Sequence, residues 1–477
     1  MEILTDNTDL VSRAQVFERQ KAKAILLRRE PLKERISRLR RLESWIHKNR
    51  DRIKSAVHQD FRKPLLEVDT SEIYPVLTEI RHTLKHLEEW SRPKKIDATL
   101  SYIGTRSEIR YEPKGVCLII APWNFPFNLC AGPLVSCLAA GNTAILKPSE
   151  MTPHTSALIR EMVSELFDED LVAVIEGGVE VSQSLLTIPF DHIFFTGSPA
   201  IGKVVMKAAS VNLTSVTLEL GGKSPTVIDE TANLKDAAKR IAFGKFINNG
   251  QTCIAPDYVQ IHANVKEKFT ELLKQEILKL FGEGKSIDEN SPHYARVVNE
   301  KHFQRLNQLL RDAIDHGAQP EILGVIGAAT NFFPPVLLSS VPDSARVMEE
   351  EIFGPILPIV TYQNKEEVLN QINKRPKPLA LYVFSTRRSF REYIIQNTSA
   401  GGVCMNECIL QFTHPNLPFG GVNNSGIGKS HGYFGFLAFS NEKPVLRQKR
   451  GWAGPYLLHP PYTAGMKKIV DILLKWF

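Results

Sequence analysis

A series of short apolar segments separated by helical stretches begins after Lys114 and constrains the fold more than any other feature of the chain. Such alternation predicts a parallel α/β sheet with helices between its strands. In open sheets of this kind, ligands bind beyond the carboxyl ends of the strands, so we expect a nucleotide-binding half here. The predicted strands are Val116 to Ala121, Thr143 to Leu146, Val172 to Ile175, His192 to Thr196 and Ser215 to Leu218.

Size and composition favour a globular protein with enough core for two or three domains, since the chain has 477 residues, 43% hydrophobic and 23% charged. Six scattered cysteines are too few for a disulfide framework and indicate a reducing compartment.

The acidic N-terminus lacks an apolar segment, which predicts a cytoplasmic protein. The net charge of +7 is dispersed, so nucleic acid is not an expected partner. Cys404 and Cys408 have no nearby histidine, and we predict no metal site.

A carboxylate and a thiol lie at the two ends of the segment from Val216 to Ile254. Glu219 precedes two glycines in V-T-L-E-L-G-G-K-S-P, where the backbone can approach a ligand closely. Cys253 lies in N-N-G-Q-T-C-I, after a helix with one apolar face that Gly250 is predicted to end. A turn at this place can present a thiol to a cleft. For these residue types alone, a buried cysteine and a solvated glutamate would be the commoner arrangement.

Three further motifs follow predicted strands, and each has an ordinary structural alternative. In A-P-W-N-F-P-F, two prolines would fix the direction of Asn124, whose amide could donate to an oxyanion or stabilise a turn. K-P-S-E (147–150) offers a lysine and a carboxylate to a ribose or a phosphate. Gly197 to Gly202, in F-T-G-S-P-A-I-G-K, spans a strand-to-helix turn that could bind pyrophosphate, although such a turn alone is more often only a helix start.

Taken in order, these motifs resemble the aldehyde dehydrogenase superfamily over about residues 10 to 465. E-E-I-F-G-P (350–355) and L-P-F-G-G-V-N-N-S-G-I-G-K (417–429) extend the resemblance, and C-I-A-P-D-Y-V (253–259) is similar to the class 3 branch. Asn423 departs from the glycine that many class 3 members have at this position, which affects the local turn geometry.

The resemblance implies a role for each matching residue. Cys253 would be the nucleophile, Glu219 the general base, and Asn124 an oxyanion donor together with the backbone N–H of Cys253. Glu351 would bind the nicotinamide ribose and Phe353 would pack on the nicotinamide. We expect NAD as the cofactor, with some tolerance of NADP, because Glu150 would repel a 2′-phosphate and Lys147 would weaken that repulsion. The full set of expected cofactor contacts is Trp123, Lys147, Glu150, Gly197, Ser198, Gly202, Leu220, Gly221, Glu351 and Phe353.

The implied architecture is an α/β fold with a Rossmann-like NAD-binding domain, a second α/β catalytic domain and a small β oligomerisation arm that joins two subunits in a homodimer. The cofactor-binding domain would comprise 1–92 and 112–219, and the catalytic domain 220–402. The arm would comprise 93–111 and 403–424, followed by a C-terminal segment over 425–477. Residues from about Asp9 to Trp90 are predicted to form helices interrupted at Pro31, Pro64 and Pro75.

The implied function is NAD(P)-dependent oxidation of aldehydes to carboxylic acids through a Cys253 thiohemiacetal and thioester, with medium- or long-chain aliphatic or aromatic substrates. One alternative is a CoA-acylating enzyme, which could dispense with a general base, so E-L-G-G-K argues against it. The other is a non-catalytic protein on the same fold, which would need no thiol and carboxylate together. His431 follows the last motif and is interpreted as structural.

The C-terminal segment from Gly465 to Phe477 has an apolar helical face formed by Ile469, Ile472, Leu473 and Trp476. Thirteen residues are too short for a bilayer, which needs about 20. We expect this helix to pack on its own subunit or a partner; the alternative is contact with the tunnel mouth or with a membrane surface as a peripheral protein.

Overall fold

The computed structural model describes residues 7–97, 102, 104–451 and 459–476. Its N-terminal part is helical, as predicted. Pro31 and Pro64 directly precede helices, whereas Pro75 lies in the first turn of a helix and does not interrupt it. The elements are α1 (Asn7–Leu27), α2 (Leu32–Lys48), α3 (Arg50–Phe61), α4 (Leu65–Val68), a π-helical turn (Asp69–Ile73) and α5 (Tyr74–Trp90).

The first α/β sheet has the strand order β15-β7-β6-β3-β4-β5, and all of its strands are parallel except β15, which pairs antiparallel with β7. The five strands predicted from apolar runs are confirmed. They are β3 (Val116–Ile120), β4 (Thr143–Lys147), β5 (Val172–Val174), β6 (His192–Gly197) and β7 (Ser215–Leu220), joined by β15 (Gly426–Ile427). The connecting helices are α6 (Asn128–Ala140), α7 (Pro153–Leu166), α8 (Val179–Leu185) and α9 (Pro199–Val211).

The second sheet has the order β10-β11-β12-β9-β8-β13-β14, with only β10 antiparallel among its described strands. Its strands are β8 (Pro225–Ile228), β9 (Tyr258–His262), β10 (Gln319–Ile322), β11 (Val336–Ser339), β12 (Ile356–Tyr362), β13 (Ala380–Phe384) and β14 (Gly402–Met405). Its helices are α10 (Leu234–Phe246), α11 (Lys266–Phe281), α12 (Glu300–Asp315), α13 (Arg346–Glu349), α14 (Lys365–Asn373) and α15 (Arg388–Asn397), with single 3₁₀ turns at Ile247–Gly250, Ala263–Val265 and Ala328–Thr330.

A third, three-stranded antiparallel sheet forms the arm, from β1 (Lys94–Ile96), β2 (Thr105–Pro113) and β16 (Ser440–Gln448). The sequence prediction grouped 403–424 with this arm. In the structure, β14 pairs with β13 in the second sheet, and β16 supplies the third strand instead. The difference arises because a pairing across more than 300 residues leaves no local pattern in the chain.

The two large sheets meet at the site, because β7 ends at Leu220 and β8 begins only at Pro225. The four intervening residues therefore link the carboxyl end of one sheet to the amino end of the other. The backbone N–H of Asp257, just before β9, donates to the Ser224 carbonyl at 2.8 Å. This contact brings the segment after Cys253 against the segment after Glu219.

Among the described residues, three helices follow β14 along the chain. α16 (Leu410–Thr413) and α17 (Gly432–Ala438) are short, and α18 (Ala464–Trp476) is longer. α18 leaves apolar side chains in solvent, with Ile472 59% and Leu474 79% exposed. The side chain of Trp476, and all of Phe477, lie outside the described residues. Over the part of the chain that is described, no helix is long and apolar enough to cross a membrane.

Candidate active site

The turn that presents Cys253 is unusual in its backbone. α10 ends at Phe246, four residues earlier than the predicted stop at Gly250. Asn248, Asn249 and Gly250 then adopt left-handed conformations in succession, with φ of 52°, 55° and 72°. A Cβ at Gly250 would overlap the carbonyl of Gly354, so only glycine fits there. The thiol is therefore held on a strained, tightly packed turn rather than on a helix end.

Side-chain amides stabilise this turn. Asn248 Nδ2 donates to the carbonyls of Asn124 and Gln251, at 2.8 and 3.1 Å. The backbone N–H of Asn248 donates to Glu67 Oε1 at 2.8 Å. Asparagine tolerates the left-handed region better than other residues with a side chain. The sequence N-N-G thus suits the backbone that places Cys253.

Cys253 is partly accessible and lines a cavity that Glu219 also lines. Burial raises the pKa of the Cys253 thiol, and the charges of Glu351 and Glu219 raise it further. Backbone N–H groups of Cys253 and Ile254 act in the opposite direction. In this state the thiol is protonated at neutral pH. The thiolate forms when nearby positive charge lowers the pKa of the thiol or when a base accepts its proton.

Glu219 is the next-to-last residue of β7 and is 6% exposed. Ser430 Oγ donates to its Oε1 at 2.8 Å, while Oε2 has no hydrogen-bond partner among the described residues. Burial raises the pKa of Glu219 to about 8, against the lowering effects of Ser430 and Lys429. A carboxylate with a pKa near neutrality and one unused oxygen is suited to general-base work. The sequence analysis missed Ser430, which directly follows the last glycine-rich motif.

Asn124 follows β3 and is 3% exposed. Its Nδ2 donates to the Gln251 carbonyl at 3.0 Å, which uses one of two amide hydrogens. The other hydrogen has no acceptor among the described residues. Gln251 lies two residues before Cys253, so the Asn124 amide is fixed close to the turn that carries Cys253.

A buried ion pair supports the Asn124 loop, and no sequence pattern predicts it. Lys63 Nζ donates to Glu72 Oε1 at 2.6 Å and to the Asn124 carbonyl at 3.2 Å, and both charged side chains are fully buried. Glu72 Oε2 accepts from the backbone N–H groups of Phe127 and Asn128. Both partners come from the N-terminal helical part, which thereby orients the Asn124 loop after β3 of the first sheet.

The loop with Glu351 and Phe353 lies against the glycines that follow Glu219. A Cβ at Gly221 would overlap the Glu351 carboxylate. Burial, with the charge of Asp257, raises the pKa of Glu351 to about 8. Phe353 has φ 45°, and its ring meets Trp123 edge-on with the centroids 5.3 Å apart. These expected cofactor contacts thus converge from three separate segments.

A second buried ion pair joins the Glu351 loop to the segments that follow Glu219 and Cys253. Lys223, four residues after Glu219, pairs with Asp257, four residues after Cys253, and both side chains are buried. Lys223 Nζ also donates to the carbonyls of Val347 and Glu350, at 2.6 and 2.9 Å. Asp257 Oδ1 accepts from the N–H of Ile352 at 2.9 Å. This pair sets the position of the Glu351 loop relative to Glu219 and Cys253.

The remaining expected cofactor residues lie at the carboxyl ends of the first sheet's strands, where a dinucleotide fits. Lys147 ends β4, and its Nζ donates to Glu150 Oε2 at 2.6 Å. Gly197 ends β6, and Ser198 caps α9 through a 3.4 Å bond from the Ile201 N–H. The N-terminus of a 13-residue helix at this edge offers N–H groups to a pyrophosphate.

Gly202 and Leu220 fit the same arrangement by packing. A Cβ at Gly202 would overlap the Leu220 side chain, so the glycine lets α9 lie close to the end of β7. This close packing brings the turn from Gly197 to Gly202 near the residues that follow Glu219.

Among the described residues, no group of three or more histidine, cysteine or acidic side chains could hold a metal ion.

The fold and the site together are those of an oxidoreductase with a Rossmann-type α/β sheet. The chain belongs to the aldehyde dehydrogenase family, which matches residues 11–445 and whose members oxidise aldehydes to acids with NAD(P). A 4,4'-diaponeurosporen-aldehyde dehydrogenase of Staphylococcus aureus is 42% identical over 95% of this chain and 96% of that protein. Aldehyde dehydrogenase family 3 member A2 of Mus musculus is 41% identical over 91% of this chain and 88% of that protein.

A solved structure, the substrate-bound state of Staphylococcus aureus AldH, matches with a TM-score of 0.92. It is 41% identical and covers 96% of this chain and 99% of that one. The family, the class 3 resemblance and the α/β fold predicted from the sequence are thereby confirmed.

Proposed function

We propose that Cys253, Glu219 and Asn124 form the catalytic centre of this aldehyde dehydrogenase. The observation that supports this most is that Cys253 and Glu219 line the same cavity. The pKa of Glu219 is raised to about 8, and its Oε2 has no hydrogen-bond partner among the described residues. Two catalytic groups with separate tasks in one cavity are what a two-step acyl chemistry requires.

In the first step, the Cys253 thiol gives its proton to water, and the resulting thiolate attacks the aldehyde carbon to form a thiohemiacetal whose oxygen is an oxyanion. The free amide hydrogen of Asn124 and the Cys253 N–H stabilise its oxyanion, each donor contributing about 3 kcal/mol. Bound NAD(P)⁺ supplies the hydride acceptor for the C–H hydrogen. What remains on Cys253 is a thioester.

In the second step, Glu219 removes a proton from a water molecule, which attacks the thioester carbon and releases the carboxylic acid and the thiol. Positioned general bases contribute about 10²- to 10⁴-fold. Ser430 orients Glu219 through Oε1 and leaves Oε2 for the water. Incubating the protein with NAD⁺ and an aldehyde, with and without CoA, tests this scheme: acid should form at the same rate in both, and a requirement for CoA would contradict it.

We propose residues 1–92 and 112–219 as the cofactor-binding domain and 220–402 as the catalytic domain, and within the C-terminal segment 425–477 we assign β16 to the arm. NAD is the preferred coenzyme in this proposal, with Lys147, Glu150, Gly197, Ser198 and Gly202 among its contacts. Glu150 is 39% exposed in its side chain and would accept from a free ribose hydroxyl. Its ion pair with Lys147 reduces the repulsion of a 2′-phosphate, which allows some use of NADP.

We also propose that the substrates are medium- or long-chain aliphatic or aromatic aldehydes. The cavity wall is largely apolar beyond the reacting groups, which favours such side chains over small polar ones. Apolar members of this wall are Pro75, Leu129, Pro133, Leu220, Leu379, Phe412 and Phe419. A rise in kcat/KM from acetaldehyde to octanal and benzaldehyde is expected, and a preference for acetaldehyde would oppose this.

We propose a cytoplasmic homodimer formed through the arm of β1, β2 and β16. Its strands leave backbone edges and apolar side chains in solvent, with Ile96 41% and Leu446 54% exposed. The exposed face of α18 would cover a partner subunit or touch an anionic membrane. Light scattering and vesicle binding, before and after deletion of 469–477, separate these roles: loss of the dimer indicates packing, and loss of vesicle binding indicates membrane contact.

A further inference from the structure

Two ionisable side chains interrupt the apolar wall of the active-site cavity. Glu79, on α5, and His431, just before α17, line the same cavity as Cys253 and Glu219. Neither has a part in the chemistry described above. A carboxylate is costly to place in such a wall unless it binds something.

Glu79 is 6% exposed, and its carboxylate is anchored to the neighbouring backbone through Oε1. Its Oε1 accepts from the N–H of Gly432 at 2.8 Å, and the Ser136 hydroxyl also donates to the carboxylate. Oε2 lies 3.9 Å from His431 Nδ1, beyond hydrogen-bond distance. Burial raises the pKa of Glu79 to about 7, so both of its protonation states are populated near neutral pH.

His431 is held in this place against its backbone preference. Its φ of 70° and ψ of 140° lie in a region that costs a residue with a side chain about 1–3 kcal/mol. Phe412 and Phe419 pack against the ring at centroid distances of 4.8 and 5.3 Å. Burial lowers the pKa of His431 to about 4, so the imidazole is neutral and has one N–H donor and one acceptor nitrogen.

One oxygen atom can bridge the gap between Glu79 Oε2 and His431 Nδ1. An oxygen about 2.8 Å from each of two polar atoms can span their 3.9 Å separation with an angle of about 90°. A hydroxyl group satisfies both, because it donates to the carboxylate and accepts from the imidazole. A methyl group in the same place would leave both polar atoms buried and unpaired.

We propose that Glu79 and His431 form a recognition site for a hydroxyl group of the aldehyde substrate, so that the enzyme favours phenolic or hydroxyalkyl aldehydes over their methyl counterparts. This inference rests on the proposed function, since it concerns the same cavity. A site that hydrogen-bonds a substrate hydroxyl discriminates strongly against the analogue without it, and for one bridged hydroxyl we expect about 10- to 100-fold.

The test compares kcat/KM within pairs that exchange hydroxyl for methyl: 4-hydroxybenzaldehyde with 4-methylbenzaldehyde, and ω-hydroxyaldehydes of four to ten carbons with the matching n-alkanals. The wild type should favour the hydroxyl member in at least one pair by about tenfold or more. Oxidation of all pairs without such a preference would overturn this inference and leave the proposed function intact. No oxidation of any aldehyde would instead overturn the proposed function.

Variants assign the preference to the two side chains. Glu79→Gln keeps an acceptor for the Gly432 N–H but loses the charge, and should reduce the hydroxyl-to-methyl ratio by about tenfold, mainly through KM for the hydroxyl member. His431→Leu removes both ring nitrogens but keeps an apolar side chain beside Phe412 and Phe419, and it should reduce the same ratio. Glu89→Gln, on an exposed part of α5 with its side chain 76% exposed, is the matched control and should leave the ratio unchanged. A ratio that persists in both cavity variants would contradict the assignment.

Discussion

The pH dependence of thioester hydrolysis follows directly from the environment of Glu219. With a pKa of about 8, only about a tenth of Glu219 is ionised at pH 7 and half at pH 8. When hydrolysis limits turnover, kcat should therefore rise about fivefold between these pH values and level off above pH 9.

Ser430→Ala should move this rise to higher pH. The Ser430 hydroxyl donates to Glu219 Oε1 at 2.8 Å and stabilises the charged form. A hydrogen bond to a charged group contributes about 1.5–3 kcal/mol, and 1.36 kcal/mol corresponds to about one pKa unit, so we expect an upward shift of about one to two units. At pH 8 the variant should hydrolyse thioester about five- to fiftyfold more slowly than wild type.

The assay is NADH formation between pH 6 and 10, with the pre-steady-state burst recorded beside the steady state. The burst reports hydride transfer and should keep its wild-type pH dependence, because Glu219 acts only afterwards. Ser440→Ala is the control, since this buried serine donates to the Phe436 carbonyl away from the site. A steady-state profile that stays in place or moves to lower pH would refute the reasoning.

Three other variants test separate parts of the site. Cys253→Ala should abolish oxidation and keep NAD binding in calorimetry; residual turnover would exclude it as nucleophile. Lys223→Met should destabilise folding by about 3–5 kcal/mol in denaturant unfolding, because Asp257 is left buried and unpaired, and adding Asp257→Asn should restore part of this loss. Glu150→Gln should raise kcat/KM for NADP relative to NAD about tenfold by removing one repulsive charge near a 2′-phosphate; an unchanged ratio would exclude it as the ribose reader.

The extent to which the fold was predictable differs between local and distant features. The strands of the first sheet were predictable because Val116–Ile120 and its neighbours are fully apolar runs bounded by turns. The end of α10 was misplaced, because three left-handed residues after Phe246 depend on packing against Gly354 rather than on propensity. The pairing of β16 with β2 was missed because it joins distant parts of the chain.

The same division holds for the candidate site. Cys253 and Glu219 lie in motifs with several residues of a fixed pattern, so a resemblance could identify them. Ser430, Lys63 and Glu72 act through contacts that form only in the folded chain, and their residue types are common on any surface. Only the structure shows that these side chains are buried beside Glu219 and the Asn124 loop.

The most direct test of the mechanism is a single experiment on Glu219→Gln. Mixing this variant with saturating NAD⁺ and an aldehyde should give a rapid burst of about one NADH per active site, followed by a stalled thioester that mass spectrometry detects on Cys253. Cys253→Ala, mixed in the same way, should give no burst. Absence of the burst in Glu219→Gln would show that Glu219 acts before hydride transfer, and sustained turnover at the wild-type rate would show that it is not the base.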